Sequence, residues 1–342
     1  MKTTRLQCST KVLFRPYLLL ILSALLLSCC SPVPDQRVLL KEDFRPPVFL
    51  GAEVPDSYRV ILDFSEPVEL LEGCFSSNPP LSLSAAGSAD ESSGGASGGR
   101  LELIFSEEMS PGLEYSLEVT VADAADNTHT LLAKVYGFNP RVPEVRLNEI
   151  TTQGSTTNPD KVEIEVLSDG NTAGLVIFEG TVDFQDQYKV LPPVEVSAGD
   201  YLVVHFKPKG SPDEIDETES VIQCRAEDSS DYAWDFWVEH GEGLSGNNGV
   251  VSLYSHTAGD LIDGFLYSNR TSESDTDYRG FGSIAVMEKA DQLWLQEGWT
   301  ASGFLIAPED AVNPDDSTAT RSMGRLPDAE AVSYTHLRAH ET

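Results

Sequence analysis

YSLEVTVADAADNT, residues 115–128, decides the fold class. Tyr115, Leu117, Val119 and Val121 are apolar, and Ser116, Glu118 and Thr120 between them are polar. Side chains alternate faces along an extended chain, so a period of two sets one face on a core and the other in water. Upstream, Tyr58, Val60, Leu62 and Phe64 alternate with Arg59, Ile61 and Asp63, and Leu101, Leu103 and Phe105 with Glu102, Ile104 and Ser106. Downstream, Val162, Ile164 and Val166 flank Glu163 and Glu165, and strand-like runs follow at 175–180, 188–206 and 249–267. The chain reads as all-β, with sheets packed face to face as sandwiches. One stretch departs from this period. In IAVMEKADQLWLQE, residues 284–297, Ile284, Met287, Leu293 and Trp294 fall near helical spacing and predict a short helix lying on a sandwich.

Composition and punctuation divide the chain. Residues 29–46 are proline-spaced, polar and aperiodic, a tether. Residues 47–140 form the first predicted sandwich, interrupted by a Gly/Ser-rich loop at 85–99. NPRVPEV, residues 139–145, reads as a short proline-marked hinge, and 144–328 as a second sandwich. Within the latter, residues 207–243 are an acidic, aromatic insertion between two strands expected to be neighbours.

YRVILDFSEPV (58–68) and MSPGLEYSLEVTVADAADNT (109–128) resemble bacterial Ig-like domains of surface proteins over roughly residues 45–140. LNEI (147–150), VEIEV (162–166), LPPVEVSAGDYLVV (191–204), GVVSLYSHTAGDLIDGFLY (249–267) and STATRSMGRLPD (317–328) look in that order like the lamin-tail domain. The resemblance implies two Ig-like β-sandwiches in tandem, the last motif being the closing strand. It also implies binding or scaffolding without naming a ligand. Glu149 and Glu163 fall on recurrent lamin-tail positions and are read as structural acids accepting backbone hydrogen bonds.

Lys2, Arg5, Lys11 and Arg15 form a positive leader before an apolar run from Tyr17 to Leu27. That run has signal-peptide length and is too short to span a bilayer. Leu26-Leu27-Ser28-Cys29 then resembles a bacterial lipobox, which makes 1–28 a lipoprotein signal peptide and Cys29 the lipidated residue. The expected address is the bacterial cell envelope, tethered by acyl chains to the outer membrane or cell surface rather than the inner membrane.

Removing four basic and no acidic residues with the signal takes the net charge from −32 to −36. Such a chain repels nucleic acid and anionic headgroups. Of five cysteines, Cys8 leaves with the signal and Cys29 takes the lipid, so Cys30, Cys74 and Cys224 remain, without CxxC spacing. A Cys74–Cys224 bridge stays open as an alternative to free thiols. The last residues, VSYTHLRAHET (332–342), show no strand or helix period and resemble translated library-adapter sequence, so 332–342 is expected to be an artefactual or disordered tail.

The motifs that could carry chemistry are sparse. GEGLSG (241–246) matches GxGxxG but precedes a strand rather than a helix, so it is a turn. Ser245 lacks nucleophile-elbow spacing, and His205, His240 and His256 are read as surface or edge residues. Glu163 and Glu165 share a strand face about 7 Å apart, which on a sandwich reads as a solvated face. In the insertion, Asp213, Glu214, Asp216, Glu217 and Glu219 offer the hard oxygens calcium takes but lack EF-hand spacing, a calcium candidate set against a solvated acidic run. DAADN, residues 123–127, is a second cation candidate set against a plain turn. Tyr232, Trp234, Phe236 and Trp237 form a candidate binding surface for a protein or glycan partner, set against packing on the sandwich.

No metal or cofactor is assigned beyond those two cation candidates, and no catalytic residue is assigned. The expectation is a non-enzymatic envelope lipoprotein presenting β-sandwiches for adhesion, binding or scaffolding. The alternatives are an accessory module for a secreted nuclease or other hydrolase, and a carboxylate-dependent hydrolase.

Overall fold

The computed structural model describes residues 43–88, 99–325 and 336–339, so the expected signal segment, Cys29 and most of the tether lie outside the described residues. Strands dominate the rest. The first sandwich comprises β1 (Phe49–Asp56), β2 (Arg59–Phe64), β3 (Glu69–Asn78), β4 (Leu83–Ser88), β5 (Gly99–Phe105), β6 (Glu114–Ala122) and β7 (Thr128–Tyr136). They pair antiparallel in two sheets, ordered β1-β2-β5-β4 and β3-β6-β7. Their core is the alternating set: Val60, Leu62, Phe64, Leu101, Leu103 and Phe105 against Tyr115, Leu117, Val119 and Val121. Of the expected loop 85–99, residues 85–88 belong instead to β4 and Gly99 to β5, and 89–98 lie outside the described residues. Small polar residues serve in β4 because its ladder with β5 is made by the main chain, which needs no apolar side chains.

The second unit continues with β8 (Val145–Thr151), β9 (Lys161–Val166), β10 (Gly170–Asn171), β11 (Val176–Gly180), β12 (Gln185–Val190), β13 (Glu195–Val196), β14 (Tyr201–His205) and β15 (Trp234–Trp237). It ends with β16 (Asn248–Tyr254), β17 (Leu261–Ser268), α1 (Ile284–Leu295), β18 (Arg321–Gly324) and β19 (His336–Ala339). A six-stranded sheet, β15-β14-β9-β8-β18-β19, faces a four-stranded sheet, β12-β11-β16-β17. Between them lie Leu147, Ile150, Val162, Ile164, Ile177, Leu202, Val204, Val251, Leu253 and Phe265, all buried. Helix α1 forms where the period changed. Ser283 caps it by accepting the Val286 amide, and Leu293 sits so close to Gly264 that a Cβ there would stand 2.3 Å from it. The strand β18 pairs antiparallel with β8.

Two expectations are corrected, and one open alternative is settled between them. The tail is not free of strand: 336–339 pair antiparallel with β18, because the outer edge of β18 offers unpaired main-chain groups to any short extended segment. Cys74 and Cys224 are free thiols, one half-buried on β3 and one buried in the insertion, so the bridge is not formed. Segment 139–145 is not a hinge. The Asn139 side-chain Nδ2 donates to the carbonyls of Asn171 and Ala173 at 2.8 and 2.9 Å, and the Asn171 backbone amide donates to the Arg141 carbonyl at 2.7 Å. Prolines signal a stiff segment here, and the asparagine welds it to the second sandwich.

The facing sheets are locked across their interior by an ion pair. Asp263 of β17 meets Arg325, which follows β18, with both side chains almost fully shut from water. Asp263 also accepts the Leu147 amide of β8 at 2.8 Å, and Arg325 donates to the Leu147 carbonyl at 2.9 Å. Burial pushes the Asp263 carboxyl up, opposed by the Arg325 charge and the two amides it receives. Removing one partner of such a pair leaves a buried charge uncompensated. Arg325→Ala is expected to cost about 3–5 kcal/mol, read as a lower urea midpoint at unchanged slope; a loss under about 1 kcal/mol contradicts the lock.

Candidate functional site

The insertion has a topological cause. Strands β14 and β15 pair in parallel, Leu202 opposite Trp234 through His205 opposite Trp237, and parallel neighbours need a crossover, which residues 206–233 supply. Strand β15 is the edge of its sheet, and alternate amides along it point away from β14. The crossover meets them with carboxylates. Glu217 accepts the Asp235 amide at 3.0 Å and the Cys224 amide at 2.9 Å, and Asp216 accepts the Trp237 amide at 2.9 Å. The Glu217 amide in turn donates to the Asp235 carbonyl at 3.0 Å. The edge is thus covered by a side-chain imitation of a further strand.

This use corrects the calcium reading. Glu214 receives three amides of its own turn, from Lys209, Gly210 and Ser211, at 2.6, 2.8 and 3.0 Å. Asp216 is paired with Lys189, and Asp213 and Glu219 are exposed, so the five acids are dispersed over backbone tasks and solvent rather than converging. Burial pushes the Glu217 carboxyl up, opposed by the amides of Asp235 and Cys224. Among the described residues the carboxylates that do converge are Asp43, Glu66 and Asp123, with oxygens within 4.8 Å of one another. There Asp123 accepts the Ala125 and Asn127 amides at 2.7 and 2.9 Å, so DAADN is a turn, as its plainer reading has it. The Asn127 side chain holds the Asp123 carboxyl below its usual range, while burial and then the facing Asp43 and Asp123 push Glu66 up.

In the aromatic run, three of the four residues follow the packing alternative and not the binding surface. Only Tyr232 stands in solvent, 89% exposed. Trp234 and Phe236 turn inward onto the sandwich core, and Trp237 packs on the other face, its ring stacked 3.8 Å from that of His205. The alternation already contained this: in WDFW, one pair of positions faces the core and Asp235 with Trp237 face the insertion.

His205 is the residue the sequence reading misplaced. It is fully buried under the insertion, and its Nε2 lies 2.7 Å from Asp235, whose other oxygen accepts the Ser230 amide at 2.6 Å. A histidine–carboxylate pair is a familiar catalytic element, but this one is sealed from any substrate and acts as a clasp between β14, β15 and the crossover. Its signal was the outward phase of YLVVH, in register with the outward phase of WDFW.

The remaining candidates are placed similarly. Asp160 accepts the Gly154 and Leu244 amides at 2.7 and 2.9 Å, and Glu179 the Ser245 amide at 2.9 Å, so GEGLSG is a turn gripped by two buried carboxylates. Glu163 accepts from the Asn148 side chain at 2.5 Å, Glu149 from Ser322, and Glu165 pairs with Arg146 at 2.7 Å. Side chains rather than the expected backbone groups thus meet Glu149 and Glu163 in these bonds. His240 is exposed, and His256 lies where the two sandwiches touch.

Glu217→Ala is expected to leave the Cys224 and Asp235 amides without acceptors, at about 1–3 kcal/mol each. Limited proteolysis within 206–233 should then accelerate while cleavage of the strands does not. An unchanged digestion pattern contradicts the structural role.

Residues 143–336 match a family model described as TP_1001_2nd, protein second domain. An uncharacterized protein of Treponema pallidum (strain Nichols) is 24% identical over 195 residues, 57% of this chain and 49% of that protein. The chain therefore spans about half the length of this relative. Among solved structures, the N-terminal part of the bacterial S-layer protein SbsC aligns over 66% of this chain and 44% of its own, at 12% identity and a TM-score of 0.25. That superposition is too loose to carry an argument.

Proposed function

The chain belongs to the TP_1001_2nd protein second-domain family, and we propose, from its sequence and its site, that it is a non-enzymatic envelope lipoprotein. Acyl chains on Cys29 anchor it, and two β-sandwiches hold an exposed contact surface away from the membrane. One observation carries this reading: buried Glu217 and Asp235, with His205 of β14, are engaged in fixing a crossover layer, whose outer side presents Tyr232. Ile215 and Ile222 on the same crossover are 41% and 49% exposed. Aromatic and aliphatic side chains on a rigid layer suit a protein or glycan partner. Nucleic acid is disfavoured by the charge of the chain. Among the described residues no helix is long and apolar enough to cross a membrane, so the anchoring role falls to the N-terminal segment in this reading.

Two linked measurements test it. Cells fed an alkyne fatty acid should label the wild-type protein and not Cys29→Ala, and protease added to intact cells should cleave the wild type. Label retained by Cys29→Ala would exclude this anchor. Protection until lysis would place the sandwiches inside the envelope and remove the external partner.

A further inference from the structure

The contact between the two sandwiches is close and specific. Gly112 of the first meets Gly174 of the second so tightly that a Cβ on Gly112 would stand 2.3 Å from the Gly174 nitrogen, and one on Gly174 would stand 2.9 Å from the Gly112 Cα. Asn139 and Arg141 bind the strand-connecting segment to Asn171, Ala173 and Glu195. Beside these contacts the Tyr136 ring, at the end of β7, stacks on His256 of the β16–β17 turn, centroids 5.3 Å apart and planes at 29°. In this arrangement His256 Nδ1 accepts the Ala258 amide at 3.2 Å, which requires the neutral ring.

We propose that this junction is an acid-sensitive lock: neutral His256, stacked on Tyr136, holds the tandem rigid, and protonation of His256 releases the sandwiches to move independently. Among the groups of the junction, a histidine is the one whose charge changes between about pH 5 and 7. Its charged neighbours are few. From the first sandwich comes Tyr136, whose hydroxyl donates to Glu114 at 2.9 Å, with Lys134 paired to Glu114 at 2.9 Å. From its own turn comes Asp260. Burial lowers the His256 pKa, opposed by Asp260.

The sign follows from linkage. A histidine free of the joint titrates near 6.5, and the docked ring titrates lower, so the undocked form binds more protons in between. The docking contributed by His256 is complete above about pH 6.5 and is lost as pH falls toward the lower docked value. The proposal rests on the contacts between the sandwiches and is independent of anchoring and partner.

Small-angle scattering on the full chain, carrying Cys29→Ser to avoid acylation, tests it at about pH 7.5 and about pH 5. Circular dichroism on each sample verifies that both sandwiches stay folded. The wild type should show a reversible increase in radius of gyration and maximum dimension at the lower pH. His256→Phe keeps a stacking ring that cannot protonate and should abolish that increase, and His256→Gln serves if the first variant misfolds. A wild-type profile indifferent to pH, or a response that survives in a folded neutral variant, overturns the proposal.

Discussion

Asp263 receives the amide proton of Leu147 in a place water does not reach, and the rest of the second sandwich follows the same constraint. A backbone amide buried without an acceptor costs on the order of 1–3 kcal/mol, so each strand end and loop carried into the interior must find one. Here carboxylates are the recurring acceptor. Asp160 and Glu179 serve the turn at 241–246, Glu217 and Asp216 serve the edge of β15, and Asp235 serves Ser230. The acidity of the chain therefore has two parts. One part is solvated and gives the chain its large negative charge; the other is buried and structural. Burying those carboxyls raises Glu179, Glu217 and Asp263 against their amide donors, which is the electrostatic cost of the arrangement.

The strands were legible wherever one face meets a core and the other water, because burial then writes a period of two into the sequence. That held for Tyr115 to Val121, for Val162 to Val166 and for the helix at Ile284–Leu295, where the period changes. Strand β15 was hidden because both of its faces are buried: aromatics occupy the core face, and Asp235 with Trp237 the other. The acids of the insertion were visible as a run, but their roles depend on which way the amides of a strand some twenty residues later point. Local spacing carries no such information. Asn139 was likewise read beside its prolines as a flexible joint, since its partners, Asn171 and Ala173, lie more than thirty residues away.

The proposed binding role rests on what these contacts leave outside. The insertion resembles a flexible acidic loop by composition, yet it is held by a histidine–aspartate clasp below and a carboxylate seam along β15. Its exposed aromatic and aliphatic residues are therefore presented on a fixed surface rather than a mobile one. Such preorganisation reduces the ordering cost of meeting a partner. The weld at Asn139, with Tyr136 stacked on His256, extends that rigidity to the first sandwich as long as the joint is docked.

Native-state hydrogen exchange at single-amide resolution tests the central claim most directly. If buried carboxylates stand in for missing strand partners, the amides of Leu147, Asp235 and Leu244 should open with free energies matching those of amides in the β9 and β14 ladders. Exchange of these three on the timescale of open loops, while the ladders stay protected, would contradict it.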